Sequence, residues 1–280
     1  MNPQVCHYSM RRGKLSDTIE VALEISMKVV LEKTLVVMIA ALLLSCATFA
    51  ATPKEVTYKS GNDTVKAILY APDGAKGKLP ALVVIHEWWG LNDWVKEQAS
   101  KLADQGYVTL AIDLYRGGVA KTSDEAHELM RGVPNDRASR DLTAAAEFLR
   151  SQPNVDASRV GDIGWCMGGG YALDLALSDA KLKASVINYG HLMVEPSNLA
   201  KINAAVLGLF GAQDRGIPVD SVKAFGDELK KQGKTVEIKI YDDAGHAFEN
   251  PNNKDGYRAA DAEDAWKRTT AFLEKNLKGK

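Results

Sequence analysis

From residue 81 to the C-terminus, short apolar runs alternate with segments whose apolar residues recur at helical spacing, and few folds accept that pattern. The runs are ALVVIHE (81–87), YVTLAIDLY (107–115), RVGDIGWC (159–166), ASVINYG (184–190), AAVLGLFGAQD (204–214) and TVEIKIYDDAG (235–245). Most are apolar nearly throughout, as strands covered on both faces must be. Between and after them the spacing predicts helices over Asp93–Gln105, Ser139–Ser151, Met167–Ser178, Ser221–Gln232 and Tyr257–Leu277. In the second of these, Leu142, Ala145, Ala146 and Leu149 fall on one helical face. Ahead of the alternation, EVTYKS and VKAILYAP flank Gly61-Asn62-Asp63 and read as a hairpin. Strand–helix alternation builds a mostly parallel sheet, here of about eight strands, with helices on both faces. Residues 52–280 contain no repeat, low-complexity tract or linker, so a single α/β domain is expected.

In such a sheet, reactive side chains collect at the carboxyl ends of strands. Four strand ends carry them: Glu87, Cys166, Asp214 and His246. Gly164-Trp165-Cys166-Met167-Gly168 puts a cysteine where a strand passes straight into a helix, with a glycine two residues to either side. That is the context of a nucleophile elbow, G-x-S-x-G, with Cys in place of Ser. A dinucleotide fingerprint, G-x-G-x-x-G, would need glycine at position 166. Peptide dipoles at a helix N-terminus stabilise a thiolate. The backbone N–H of Met167 would face a developing oxyanion, and that of Trp88, just past the first buried strand, is the expected second donor. The order nucleophile, acid, histidine is that of the α/β-hydrolase fold. His246 would take the thiol proton and later activate water, while Asp214 would hold the imidazole in the needed tautomer. Glu87, beside this site, would modulate protonation of the thiol. Asp113 and Arg116 are expected to rim the pocket or form a salt link, His191 and His127 to touch the pocket, and His86 to orient a loop. The chain has no H-E-x-x-H, no paired-cysteine motif and no short-spaced histidine cluster, so no metal and no cofactor are expected.

Composition narrows the partners. Lys plus Arg is 35 against 36 for Asp plus Glu, without the basic excess that nucleic acid requires, so a small-molecule substrate is expected. From Met27, lysines precede the apolar run Leu35–Leu44, and small residues ending at Ala50 and Ala51 follow. This is the layout of a secretory signal peptide over 27–50, with a run too short to span a bilayer. The polar segment 1–26 then lies upstream of a start at Met27, and the mature chain is periplasmic or secreted. Leu43-Leu44-Ser45-Cys46 resembles a lipobox, which offers a lipid anchor at Cys46 as the alternative. Cys6 and Cys46 both precede the mature domain, leaving Cys166 as its lone thiol.

HEWWGLN (86–92), DLYRGG (113–118), GWCMGGG (164–170), GAQD (211–214) and AGHAF (244–248) together resemble the dienelactone hydrolase, or carboxymethylenebutenolidase-like, family over residues 55 to 275. The resemblance implies a monomeric hydrolase whose Cys166 attacks a lactone or ester carbonyl and forms a thioester acyl-enzyme. It also implies that a glutamate at the place of Glu87 pairs with the resting thiol and shifts when substrate binds. The family's dienelactone enzyme holds its substrate's carboxylate with arginines. Here the stretch after His246 reads Ala247-Phe248-Glu249-Asn250, and 122–130 has no arginine either, although Arg131 is close. The competing reading is a non-catalytic periplasmic binding or stress protein on the same fold, which has no need of all three triad groups.

Overall fold

The computed structural model describes residues 51–279 and, apart from these, only Met27. The segment 1–26, the leader expected over 27–50 and Cys46 otherwise lie outside the described residues.

Eight strands form one sheet: β1 (Thr52–Ser60), β2 (Asp63–Ala71), β3 (Leu79–Ile85), β4 (Val108–Ile112), β5 (Val155–Trp165), β6 (Ala184–Asn188), β7 (Ala205–Gly211) and β8 (Val236–Tyr241). Their order is β1-β2-β4-β3-β5-β6-β7-β8. β1 and β2 pair antiparallel through a two-residue turn, with Ser60 opposite Asp63. Gly61 carries the positive φ of 59° that such a turn needs. β2 runs antiparallel to β4, and every later pairing is parallel. Every residue of β4, β6 and β7 is buried, and β3 is buried from Pro80 onward. Successive strand residues point to opposite faces, so both faces of the central sheet are covered.

The covering helices are α1 (Asp93–Asp104), α2 (Ser123–Arg131), α3 (Asn135–Ser151), α4 (Met167–Ser178), the single turn α5 (Pro196–Leu199), α6 (Val219–Lys231) and α7 (Ala259–Leu273), which ends in a π-helical turn over Glu274–Lys278. The expected single domain of α/β-hydrolase type is observed over the described residues. None of their helices is long and apolar enough to cross a membrane.

The departures from expectation have local causes. α2 fully buries only Ala126, with Leu129 and Met130 half-buried beside it, so its apolar stripe is little more than one turn long. Its start is marked instead by Thr122, whose hydroxyl accepts from the Glu125 N–H at 3.3 Å. α3 begins at Asn135 rather than Ser139, directly after Pro134, a residue suited to a helix start. β3, β4 and β7 stop at Ile85, Ile112 and Gly211. His86-Glu87, Asp113-Leu114-Tyr115 and Ala212-Gln213-Asp214 are therefore loop residues just past strand ends. They assemble the site.

Candidate active site

Cys166 stands alone between β5 and α4 with φ 56° and ψ −118°, a conformation costly to any residue with a Cβ. Its neighbours leave no other path. A Cβ on Gly164 would fall 2.0 Å from the Gly168 carbonyl oxygen, and one on Gly168 would fall 2.4 Å from that of Ile85. The two glycines let the elbow press against the end of β3. This lifts the Cys166 side chain, a half-buried free thiol, above the edge of the sheet.

His246 Nε2 lies 3.0 Å from Cys166 Sγ, and His246 Nδ1 lies 2.6 Å from Asp214 Oδ2. Asp214 is buried, and its other oxygen accepts from the N–H groups of Gly216 at 2.8 Å and Ile217 at 3.2 Å. The carboxylate is fixed at both ends, so it dictates that Nδ1 carries a proton and leaves Nε2 to exchange one with sulfur. Burial works against a charged His246, but the bonds to Asp214 and Cys166 outweigh it and raise its pKa to about 10. An imidazolium there is the counter-charge a thiolate needs, and the aligned N–H groups at the start of α4 face the sulfur from the other side.

Trp88 and Met167 line the same cavity as Cys166 and His246. Met167 is the first residue of α4, so its N–H has no acceptor within the helix. The Tyr115 hydroxyl lies 3.0 Å from the Trp88 carbonyl oxygen and 3.2 Å from Met167 Sδ, tying together the two segments that hold the candidate oxyanion donors. Tyr115 belongs to the DLYRGG motif, but the sequence had assigned it no role. His86 is fully buried: its Nε2 accepts from the Leu114 N–H at 3.2 Å, so Nδ1 carries the proton and donates to the Glu87 carbonyl at 2.6 Å. Burial lowers its pKa, which suits a neutral loop-orienting residue.

Glu87 is 1% exposed, and its Oε2 accepts from Asn250 Nδ2 at 2.6 Å. Oε1 has no hydrogen-bonded partner; the nearby Tyr189 hydroxyl influences its ionisation without meeting it in bonding geometry. The Cys166 sulfur is engaged by His246. Burial, only partly countered by Asn250, His246 and Tyr189, raises the Glu87 pKa to about 7. Glu249, which accepts from Trp165 Nε1 at 3.2 Å, is raised by burial to about 8, with the Glu87 charge adding to the rise. Both groups bind protons more tightly folded than unfolded. Their contribution to stability is therefore fully present below the ordinary carboxyl range and is lost as pH rises toward 7 and 8. Glu249 and Asn250 lie three and four residues after His246, and neither was marked as a site residue by the pattern.

The remaining candidates separate. His191 lines the cavity. His127 is exposed and packs edge-on against Trp88 at 4.9 Å. Arg116 does not rim the cavity: its guanidinium is drawn away to the fully buried Asp141 at 2.7 Å and to the Asp113 carbonyl oxygen at 3.3 Å. Asp141 would otherwise be an unpaired buried charge, and that need fixes the arginine's direction. Asp113 meets Arg116 only through its backbone, while its carboxylate accepts from the Tyr115 N–H. The cavity measures about 410 Å³ and is walled largely by apolar side chains, among them Trp88, Met130, Met167, Tyr171, Met193 and Ile217. Among the described residues, no group of three or more His, Cys, Asp or Glu is placed to hold a metal ion.

Residues 65–277 match the model of the dienelactone hydrolase family. A protein of Methylorubrum extorquens bearing the name carboxymethylenebutenolidase is 34% identical over 206 residues, covering 69% of this chain and 70% of its own. A Salmonella typhimurium protein of the same name is 34% identical over 223 residues, 75% of this chain and 82% of its own. Among solved structures, a dienelactone hydrolase from Klebsiella pneumoniae superposes with a TM-score of 0.74 at 30% identity, covering 81% of this chain and 99% of its own. The dienelactone hydrolase-like promiscuous phosphotriesterase P91, from metagenomic libraries, gives a TM-score of 0.75 at 29% identity with the same coverage.

Proposed function

The chain belongs to the dienelactone hydrolase family, and from that premise we propose that it hydrolyses an ester or lactone bond of a small molecule through Cys166, His246 and Asp214. The observation that carries the reading is the chain of contacts Sγ–Nε2 at 3.0 Å and Nδ1–Oδ2 at 2.6 Å, set on a strained elbow. His246 holds the proton of the Cys166 thiol, and the thiolate sulfur attacks the carbonyl carbon. The N–H groups of Met167 and Trp88 receive the developing oxyanion. As the tetrahedral species collapses, the imidazolium returns its proton to the departing alkoxide, and a thioester on Cys166 remains. Water deprotonated by His246 then attacks the thioester, releases the acid and restores the thiol. Every step uses this chain's own groups and water.

The direct test is a rapid acid quench during turnover of p-nitrophenyl acetate, followed by mass spectrometry. An acetyl group on the peptide bearing Cys166 is expected. Turnover with the acyl group found elsewhere would displace Cys166, and binding of esters without acylation or turnover would favour a non-catalytic role.

Glu87 enters this scheme as a modulator of the thiol, supported by its burial and its bond to Asn250. Replacing Glu87 by Gln should speed alkylation of Cys166 by iodoacetamide in the absence of substrate. Superimposable rate–pH profiles for the two forms would remove it from that role. The layout from Met27 to Ala51 supports export. An exported chain whose intact mass corresponds to a start near Ala51 is expected, and a lipid on Cys46 would establish the anchored form instead.

A further inference from the structure

The cavity over Cys166 carries its charges at two separate places: the His246 imidazole beside the thiol, and a carboxylate further along its wall. Among the described residues that line it there is no lysine or arginine, and the single carboxylate is Asp174. Asp174 is not scattered there by chance. Met167, Gly170, Tyr171 and Asp174 all line the cavity, and their spacing of three, four and seven residues is one face of α4. That face leads from the elbow outward. At 1.5 Å per residue, Asp174 lies roughly 10 Å beyond Met167, at the far end of the cavity from the thiol. Between them, Gly170 presents no side chain, and His191 packs beside it, 3.6–3.8 Å from where a Cβ would stand. Asp174 is exposed as a residue, yet enough protein surrounds its carboxyl to raise its pKa, and the nearby His191 opposes that rise. The arginines around the cavity are turned elsewhere or lie outside it: Arg131 pairs with Glu128 at 2.7 Å, Arg137 donates to the Leu114 carbonyl oxygen at 3.0 Å, and Arg215 is exposed and does not line the cavity.

We infer that Asp174 is a specificity-determining residue, by which the Cys166 cavity selects substrates with an apolar tail ending in a neutral or cationic group and turns away carboxylate-bearing ones. The apolar wall takes the tail, and the carboxylate reads its end. This rests on the cavity being the substrate site, and it extends that reading from a bond type to a substrate class. It runs opposite to the arginine-held carboxylate of the dienelactone enzyme.

The experiment measures labelling of Cys166 by three iodoacetamides that differ only in the end of a six-carbon tail: methyl, carboxylate or trimethylammonium. Rates are divided by those of glutathione with the same reagents, which removes intrinsic reactivity. In the wild-type protein the trimethylammonium reagent should lead and the carboxylate reagent should trail. Asp174→Asn should raise the carboxylate-to-methyl ratio about fivefold, the scale of one partly exposed charge. Asp174→Lys should carry the ratio further and make the carboxylate reagent the fastest. Folding of both variants is checked by circular dichroism. Ratios that do not respond to either substitution, or a wild-type preference for the carboxylate tail, would overturn the proposal. Labelling needs no turnover, so charge selection without any ester hydrolysis would sink the hydrolase reading alone. Hydrolysis with indifferent labelling would sink only the role of Asp174.

Discussion

Cys166→Ala is expected to lower kcat/KM on any accepted ester by roughly four to six orders of magnitude, with the fold unchanged. The size follows from what the sulfur does. In the proposed scheme it supplies the bond that splits one hard hydrolysis into two easier steps, and alanine offers no substitute. The oxyanion donors and the cavity remain, so a residue of catalysis above the uncatalysed rate survives. The fold should tolerate the change because Cys166 is half-buried and alanine keeps the Cβ that the elbow already accommodates at φ 56°. A melting temperature within about 3 °C of wild type is expected, since a shallow truncation costs under about 1 kcal/mol. Steady-state rates and thermal melts of the same preparation check both halves. A variant that keeps more than about one hundredth of the activity would transfer the nucleophile's role to another group.

Asp214→Asn should be nearly as damaging, lowering kcat by roughly a thousand- to ten-thousandfold, for a reason specific to its surroundings. Oδ1 already accepts from the N–H groups of Gly216 and Ile217. In the variant the amide oxygen must keep that place, because an NH2 group there would face two donors. The amide NH2 is then turned toward His246 Nδ1 and donates to it. Nδ1 becomes an acceptor, the imidazole proton moves to Nε2, and Nε2 can no longer take the proton of Cys166. The geometry is kept and the direction of proton flow is reversed. Kinetics together with the imidazole nitrogen NMR shifts would test this. Normal kcat, or a proton still resident on Nδ1, would contradict it.

The parts of this architecture legible in the sequence are those that repeat or that carry a local constraint. The buried strands declared themselves because no polar alternation interrupts VTLAI or AVLGLFG, and α4 was delimited to the residue by the elbow glycines. Cys166, Asp214 and His246 were named from their order along the chain, and the structure brings them within hydrogen-bond reach. What stayed hidden depends on partners distant in sequence. Arg116 could be read toward the pocket only until Asp141, buried on α3, was seen to claim it. Glu249 and Asn250 look like ordinary loop polar residues. Their importance comes from Trp165 and Glu87, which belong to other strand ends. Tyr115 likewise bridges Trp88 and Met167 across the tops of three strands. α2 was missed because its apolar stripe, Ala126, Leu129 and Met130, spans little more than one turn, although Thr122 with Glu125 three residues on was a start signal that could have been used.

Cys166 is the only cysteine among the described residues, and that solitude governs how the protein ages. A thiol paired with an imidazole is readily oxidised to the sulfenic acid, which a neighbouring cysteine in other proteins would capture as a disulfide. Here the described domain has no such partner. The sulfenic acid must be returned by a thiol from outside, through the same mouth that admits substrate, or advance to the sulfinic state from which ordinary reductants do not recover it. On the proposed mechanism, a substrate seated over Cys166 would also shield the sulfur from oxidants.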